Sequence, residues 1–305
     1  MVTLPSPDPS GATQAYRNRA VAESFGDDVD RYDRTRPGYP PGLVDAVLAS
    51  VSGLSGGARR SVLDVGIGTG LSAHGFRDAG CDVLGVDVDE RMAAQAREHG
   101  FEVEVAAFER WDDRGRRFDA VLSGQTWHWI DPDAGAAAAV RVLRPGGRLA
   151  LFWNAADLPA EIGAGFAEVY RNVEPGLPFT PWTTQAAEGY ARILTAVSDP
   201  LRKTGQFTEP EEWRGTWTAV VSRDQWLDLA PTAGGHSRIP VDKLQALLAG
   251  MGDVIDDHGG GFPITYTTVM IGATKRRSRP GPTAADTDAG TPYAAAPRPS
   301  RGTGP

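Results

Sequence analysis

The chain has 305 residues, of which 41% are hydrophobic and 23% are charged, and its formal net charge is -8. This length fits one large domain or two modest ones, and no run approaches the roughly 18 apolar residues of a membrane helix. The negative balance argues against a nucleic-acid partner, because phosphates usually require a basic surface. A single cysteine, Cys81, excludes an internal disulfide and a cysteine-based zinc cluster. The first residues lack the features of a secretory signal, so we expect a soluble cytoplasmic protein with no membrane partner.

Composition divides the chain into segments. Residues 1–13 and 276–305 are rich in Pro, Gly, Ser, Thr and Ala and are predicted to be disordered, because they cannot bury enough apolar surface to offset the entropy of ordering. Residues 14–58 are predicted to form an N-terminal helical lid, and 59–275 the main domain. Within that domain, residues 157–213 are too long for a plain crossover connection. We predict that this insertion forms a cap over the active site.

Between the two ends, predicted strands alternate with single helices. The predicted strands are 61–65, 82–86, 102–106, 118–123, 148–153, 217–222 and 263–273. The predicted helices are 71–79, 90–99, 134–143, 162–172, 184–197 and 241–251. Most of these strands are continuously apolar rather than alternating, which indicates a parallel sheet covered on both faces. The pattern predicts an α/β protein with a doubly wound sheet.

Three glycines, Gly66, Gly68 and Gly70, follow the first predicted strand. Glycines at this point let the backbone turn sharply and approach a ligand without a Cβ in the way, and the next helix would aim free N–H groups at the same place. The spacing excludes a dinucleotide fingerprint, which needs glycine where Leu71 stands, and no Gly-Lys-Ser/Thr follows as in a phosphate-binding P-loop. Asp64, just before the loop, would repel a pyrophosphate and suits a ligand that carries an ammonium group.

Two acidic residues follow later strands. Asp87 ends the second predicted strand, where a carboxylate can accept two hydrogen bonds from a ribose diol; the alternative is that it caps the helix starting near Asp89. Glu109 follows the third strand, either beside an adenine edge or as a solvated loop acid. Both acids are candidates for binding a nucleoside.

Further motifs follow the glycine loop in a fixed order. The loop itself reads LDVGIGTG at 63–70, and it is followed by VDVD at 86–89, FDAV at 118–121 and RVLRPGG at 141–147. Over roughly residues 60–154 this order resembles the class I S-adenosylmethionine-dependent methyltransferases. The stretches at 25–40 and 125–129 (QTWHW), together with the closing strand, are similar to those of the small-molecule, trans-aconitate-methyltransferase-like branch.

The resemblance implies a Rossmann-like, seven-stranded and mostly parallel sheet with S-adenosyl-L-methionine across the carboxyl ends of its strands. In that family Asp64 and the glycine loop would hold the methionine part, Asp87 the ribose, and Phe108 and Glu109 the border of the adenine. The residues implied for the cofactor are Arg36, Asp64, Gly66, Gly68, Gly70, Asp87, Val88, Phe108, Glu109 and Ser123. Ala107 departs from the family pattern, because many relatives carry Asp or Ser there.

Two absent motifs narrow the chemistry. The turn after the fourth predicted strand reads Ser-Gly-Gln-Thr at 123–126, instead of the Asn/Asp-Pro-Pro-Tyr/Phe turn of amine and amide methylases. The fifth strand ends at Trp153 and Asn154 without the carboxylate that catechol-type enzymes use to hold Mg²⁺. We predict no metal.

Methyl transfer is an in-line displacement, so the enzyme mainly has to position the nucleophile and exclude water. His128 is the candidate general base if the acceptor arrives protonated, because a histidine pKa suits neutral conditions; the alternative is a packed imidazole that donates to a backbone carbonyl. Arg36 pairs either with the methionine carboxylate or with Asp33. The candidates for binding the acceptor are Tyr39, Gln125, Trp127 and Trp129. We expect the two tryptophans on alternate positions of an extended stretch, one as pocket wall and the other as core.

The sequence therefore predicts an enzyme that methylates a small organic acceptor, on oxygen in preference to carbon or nitrogen, without a metal. One alternative is a catalytically silent S-adenosylmethionine-binding regulatory module. The other is an RNA methyltransferase, which would need a contiguous arginine patch beside the cofactor.

Overall fold

The structure is a computed structural model that describes residues 23–54, 56, 58–177, 186–233 and 235–277, with the backbone only for 23–24 and 186–194. The predicted disordered segments, 1–13 and nearly all of 276–305, lie outside the described residues. Within those residues no helix combines the length and the apolar character needed to cross a membrane.

A seven-stranded sheet organises the chain, in the order β3-β2-β1-β4-β5-β7-β6. Its strands are β1 Ser61–Val65, β2 Asp82–Asp87, β3 Glu102–Val105, β4 Phe118–Gly124, β5 Leu143–Asp157, β6 Glu211–Ser222 and β7 Gly261–Thr274. Strands β1 to β5 pair in parallel, and β7 runs antiparallel to both β5 and β6. The predicted doubly wound sheet of seven strands is confirmed.

Nine α-helices are described, and several of them cover the two faces of this sheet. They are α1 Val29–Thr35, α2 Pro41–Ser50, α3 His74–Asp78, α4 Glu90–Glu98, α5 Pro132–Val142, α6 Ala160–Val173, α7 Ala186–Lys203, α8 Arg223–Leu229 and α9 Val241–Asp257. Val62 of β1 packs in a cluster with residues of α2 and α3, whereas Leu63 and Val65 pack in a cluster with residues of α5 and α7. Because successive side chains of a strand point to opposite faces, the apolar run of β1 fills both layers.

The segment predicted as a lid divides into two parts. A 3₁₀ turn at Glu23–Asp28 and helix α1 stand before the sheet, and α1 is capped by Asp28, whose side chain accepts from the Arg31 N–H. Helix α2 buries Leu43 and Val47 against the sheet and belongs to its helical layer. Residues 14–22 lie outside the described residues.

The described parts of the insertion at 157–213 cover the sheet. Helix α6 packs against α9, and its buried residues share a cluster with those of β7. Helix α7 contacts α5, β5 and β7. Residues 178–185, in the middle of the predicted cap, lie outside the described residues.

Several boundaries differ from prediction. The Pro-Gly-Gly turn lies inside β5, which begins at Leu143 and shifts its register against β4 between Phe118 and Ala120. Strand β6 begins at Glu211, six residues before its predicted start. Its exposed positions alternate with half-buried ones, as in an edge strand, and a search for apolar runs misses this pattern. Helix α9 continues to Asp257.

Candidate active site

The glycine loop leaves the end of β1 in a left-handed conformation. Gly66 and Gly68 have φ of 70° and 58°, where L side chains are strained. A Cβ at Gly66 would collide with the Thr126 side chain, whereas a Cβ at Gly68 would find only the Met92 Cε, at 3.6 Å. The prediction that a helix starts at residue 71 is wrong, because turns precede the five-residue helix α3. The loop backbone therefore shapes this site without a long helix behind it.

A cavity of about 460 Å³ lies beyond the carboxyl ends of β1, β2 and β4. Strand order reverses between β1 and β4, and open α/β sheets bind their ligands at such a switch point. The volume falls within the ~300–1,000 Å³ of small-molecule pockets. The lining residues come from 25–39, 65–72, 86–92, 106–110 and 124–134.

The predicted site residues fall into two groups. Those that line the cavity are Arg36, Tyr39, Gly66, Gly68, Asp87, Val88, Phe108, Glu109, Gln125, His128 and Trp129. Those that lie behind its wall are Asp64, Gly70, Ser123 and Trp127. Ser123, for example, is fully buried and donates through Oγ to the Val65 carbonyl at 3.0 Å.

Asp87 fixes the glycine loop. Its Oδ2 accepts from the Gly68 N–H at 2.8 Å, and its Oδ1 accepts from the Asp89 N–H at 2.9 Å. Burial raises the pKa of this carboxyl, and the backbone hydrogen bonds oppose that rise. The alternative that Asp87 caps the following helix is wrong, because Asp89 is the cap of α4 and accepts from the Arg91 N–H.

Asp64 lies under the loop and reaches the cavity only through a neighbour. Ser72, which lines the cavity, donates through Oγ to Asp64 Oδ2 at 2.5 Å. Burial raises the pKa of Asp64 to about 7, because no cation compensates the charge within the described structure. Among the described residues, Asp64 Oδ1 and Thr69 Oγ1 are buried without a hydrogen-bond partner. Such orphaned polar atoms beside a glycine cradle fit a ligand with polar groups.

Phe108 and Glu109 form a short 3₁₀ turn after β3. Phe108 is buried with its ring centroid 6.0 Å from that of Trp127. Glu109 lines the cavity, and its Oε1 accepts from the Asp131 N–H at 3.1 Å, ahead of helix α5. The carboxylate is therefore held by the backbone at the cavity edge rather than left in a solvated loop.

The tryptophan pair after β4 does not lie on an extended stretch, so that part of the prediction is wrong, whereas the structure does place one ring at the cavity and the other in the core. Residues 127–129 form a 3₁₀ turn, which points the two rings in different directions. Trp127 is 2% exposed and lies in the main hydrophobic cluster, whereas Trp129 lines the cavity. Gln125 precedes them with φ of 56°, an uncommon conformation for a residue with a side chain, and its Nε2 donates to the Asn154 carbonyl at 3.4 Å.

His128 stands in an apolar setting. Its Nδ1 accepts from the Trp153 indole N–H at 3.3 Å, and its ring centroid lies 4.7 Å from that of Trp129. Burial lowers the pKa of His128 to about 4, because the charged ring would lose its hydration. The expectation of a pKa suited to neutral conditions is therefore wrong. Nδ1 contacts an indole donor, not a backbone carbonyl.

The N-terminal segment supplies a cation and two aromatic rings. The Arg36 guanidinium donates to the Thr232 carbonyl and lies 4.8 Å above the Tyr32 ring. Burial lowers the pKa of Arg36, while nearby tyrosines oppose that effect. The Tyr39 ring packs edge-on against Phe152 at 4.8 Å.

Sequence reasoning missed several lining residues, among them Phe25, Tyr32, Thr69 and Ser72. Tyr32 could have been found, because it stands four positions before Arg36 on α1 and residues at that spacing share a helix face. Thr69 and Ser72 flank the last glycine of the loop, where only backbone contacts had been considered.

Among the residues that the structure describes, no group of three or more His, Cys, Asp or Glu side chains is placed to hold a metal ion. The glycine loop, the acid that ends β2 and the cavity at the switch point together define an α/β protein that holds a nucleoside-type ligand.

Comparison with known proteins narrows this class. A family model described as a methyltransferase domain matches residues 63–151. The chain is 30% identical over 271 residues to an uncharacterized methyltransferase of Mycobacterium tuberculosis, across 84% of this chain and 97% of the relative. It is 35% identical over 117 residues to a ubiquinone biosynthesis O-methyltransferase of Alkalilimnicola ehrlichii, across 36% of this chain and 46% of the relative. A solved structure described as a type II methyltransferase from Anaeromyxobacter dehalogenans matches with a TM-score of 0.53 at 22% identity, across 78% of this chain and 97% of the other.

The chain therefore belongs to the class I S-adenosylmethionine-dependent methyltransferases. The narrower resemblance to the trans-aconitate-methyltransferase-like branch stays a prediction.

Proposed function

We propose that the protein transfers the methyl group of S-adenosylmethionine to an oxygen atom of a small organic acceptor, without a metal. The observation that carries this proposal is a single cavity with two different walls. One wall is formed by the glycine loop and Asp87, and the other by Gln125, His128 and Trp129. A cofactor and an acceptor bound to these walls would meet inside one cavity.

The residues of the first wall suit the cofactor. The carboxylate of Asp87 is fixed by two backbone N–H groups and is placed for a ribose diol. Ser72 and Thr69 line the cavity beside the glycine loop, and Phe108 with Glu109 borders the far edge. When bound, S-adenosylmethionine supplies a methyl carbon already activated by its sulfonium.

The residues of the second wall would position the acceptor and exclude water. The Trp129 and Phe25 rings lie 6.2 Å apart and both line the cavity, so they close it from two segments of the chain. Arg36 and Tyr39 add a cation and a further ring from the segment before the sheet. Holding the nucleophile in line with the methyl carbon is the main catalytic task in such a displacement.

Two observations favour transfer to oxygen: the name of one relative, and the lack of a sequence motif that amine and amide methylases carry. The relative from Alkalilimnicola ehrlichii is named as an O-methyltransferase, although it matches only 36% of this chain. The turn at 123–126 is not the Pro-Pro turn of amine and amide methylases.

The charges around the cavity argue against RNA as the acceptor. The described lining residues include two cations, Arg36 and Arg110, and four acids. The four acids are Asp87, Asp89, Glu109 and Asp131. A phosphate backbone would be repelled by this excess of carboxylates.

A label-transfer experiment tests the proposal. The purified protein is incubated with S-adenosylmethionine that carries tritium in its methyl group and with a small-molecule extract of the source cells. We expect label in small organic products, and none with the Gly68→Val variant or with heat-denatured protein. Binding of the cofactor without label transfer to any fraction would favour the silent regulatory module, and label in RNA alone would favour the second alternative.

A further inference from the structure

The neighbour of His128 on β5 decides which ring nitrogen carries the proton. Trp153 is fully buried in the centre of β5, and its indole N–H points at His128 Nδ1 at 3.3 Å. An indole nitrogen can donate a hydrogen bond but cannot accept one. Nδ1 is therefore the acceptor in this contact.

A neutral imidazole carries one proton, so the proton of His128 stands on Nε2. His128 lines the cavity while its Nδ1 is engaged by Trp153, so Nε2–H is the ring group left to hydrogen-bond an acceptor. A ring in this state donates a hydrogen bond through Nε2, and its one basic lone pair, on Nδ1, is engaged by the Trp153 N–H.

We propose that Trp153 is a positioning residue that holds His128 as a hydrogen-bond donor, so that the site takes an acceptor oxygen that is already ionised, as in a carboxylate. The inference rests on the proposed function. A lone pair of the ionised oxygen forms the new C–O bond while the C–S bond breaks, and its electron pair stays on sulfur. The products are a neutral methyl ester and a neutral thioether, and no proton has to move.

Burial and the indole act in the same direction on His128. A second proton on the ring would stand on Nδ1 and point at the Trp153 N–H, and the ring would carry its charge in an apolar setting. The pKa of His128, lowered by burial to about 4, agrees with this geometry. The aromatic neighbours Trp129 and Trp153 bring no charge to offset the burial.

Nitrogen NMR of the histidine rings tests the role of Trp153 without any acceptor. The sequence has five histidines, and the His128→Gln variant identifies the signals of His128. In the wild type we expect the Nε2–H tautomer, unchanged between about pH 5 and 8. Trp153→Phe keeps an aromatic ring but removes the donor, so we expect both tautomers and a titration at higher pH. Trp129→Phe, which changes the other ring beside His128, should leave the tautomer as it is.

An Nδ1–H tautomer in the wild type, or a Trp153→Phe spectrum identical to that of the wild type, would overturn the positioning role. The acceptor class has its own test, because mild alkali releases the methyl group of an ester as volatile methanol and leaves an ether or an N-methyl group intact. Label released by alkali from the products supports an ionised oxygen, and alkali-stable label would overturn it while leaving methyl transfer established. Failure of all label transfer would instead overturn the proposed function, and the NMR result would still decide the state of His128.

Discussion

The two walls of the cavity are built by different means. The wall that we propose for the cofactor, residues 65–72, 86–92 and 106–110 (the cofactor wall), consists largely of backbone turns and carboxylates placed by strand ends. The wall that we propose for the acceptor, residues 25–39 and 124–131 (the acceptor wall), consists largely of side chains from two segments outside the regular sheet. Backbone geometry requires particular glycine and acid positions, whereas side chains on turns can change without altering the fold. The cofactor wall therefore has a sequence signature, and the acceptor wall has little.

The walls also differ in the charge that they bury. On the cofactor side, burial raises the pKa values of Asp64 and Asp87, so the ligand-free protein holds carboxylates in an unfavourable setting. On the acceptor side, burial lowers the pKa of His128 and keeps the ring neutral. We infer that the first wall is prepared for a ligand with polar groups, and the second for one held by aromatic rings, the neutral His128 ring and the Arg36 cation.

The largest expected effect is on the cofactor wall, at Gly68. Gly68→Val adds a branched side chain to a residue with φ of 58°, pointing into the open cavity. We expect no measurable binding of S-adenosylhomocysteine in calorimetry. Gly80→Val is the matched control, because Gly80 has φ of 84° with nothing within 4 Å of its Cβ and does not line the cavity. If Gly80→Val abolished binding equally, backbone strain rather than the cavity would explain the loss.

The second largest effect is expected for Asp87→Ala, which should weaken binding of the cofactor. It removes the carboxylate that fixes the Gly68 N–H and is placed for the ribose, and charge-assisted hydrogen bonds of this kind contribute about 1.5–3 kcal/mol. The dissociation constant for S-adenosylhomocysteine, measured by calorimetry, should rise about 10- to 150-fold. The control is Asp82→Ala at the exposed start of β2. An unchanged dissociation constant for Asp87→Ala would remove it from the cofactor wall.

On the acceptor wall, His128→Phe should separate transfer from cofactor binding. It removes one hydrogen-bond donor and keeps a ring, so the rate of label transfer should fall about tenfold, with the affinity for S-adenosylhomocysteine kept. The wild-type rate should not change between about pH 6 and 8, because the ring stays neutral in that window. A loss of ~10²–10⁴-fold, with a wild-type rate that falls as pH drops through this window, would restore His128 as a general base.

The smallest effect concerns the stability of the ligand-free protein. Since burial raises the pKa of Asp64 to about 7, the folded state retains a proton that the unfolded state releases above about pH 4. This contribution to stability is complete below about pH 4 and is lost as pH rises to about 7 and beyond. Asp64→Asn should reduce the dependence of the free energy of unfolding on pH, and should raise that free energy at pH 8 by about 1 kcal/mol.

Urea unfolding at several pH values measures the effect of Asp64→Asn. Asp78→Asn, at an exposed position of α3, is the control and should leave the pH dependence unchanged. If the free energy of unfolding of Asp64→Asn depended on pH as steeply as that of the wild type, another buried group, such as Asp87, would be the cause of the pH dependence.

The sequence predicts the parallel strands well because strands buried on both faces are mostly apolar, as in β4, which is buried at all seven positions. It predicts β6 poorly, because an edge strand with charged residues at Glu211, Glu212 and Arg214 has no apolar run. In the site, Gly66, Gly68 and Asp87 are predictable, because the turn after β1 requires glycine at positive φ and the end of β2 requires an acid that can accept hydrogen bonds. The contact between Trp153 and His128 is not, because it joins two segments 25 residues apart whose approach depends on tertiary packing.

Calorimetric titration of the wild type with S-adenosylhomocysteine tests the central claim most directly, since the assignment of both walls depends on a cofactor in this cavity. We expect saturable binding at one site per chain, lost in Gly68→Val and retained in His128→Phe. No detectable heat and no thermal shift at millimolar ligand would contradict the account.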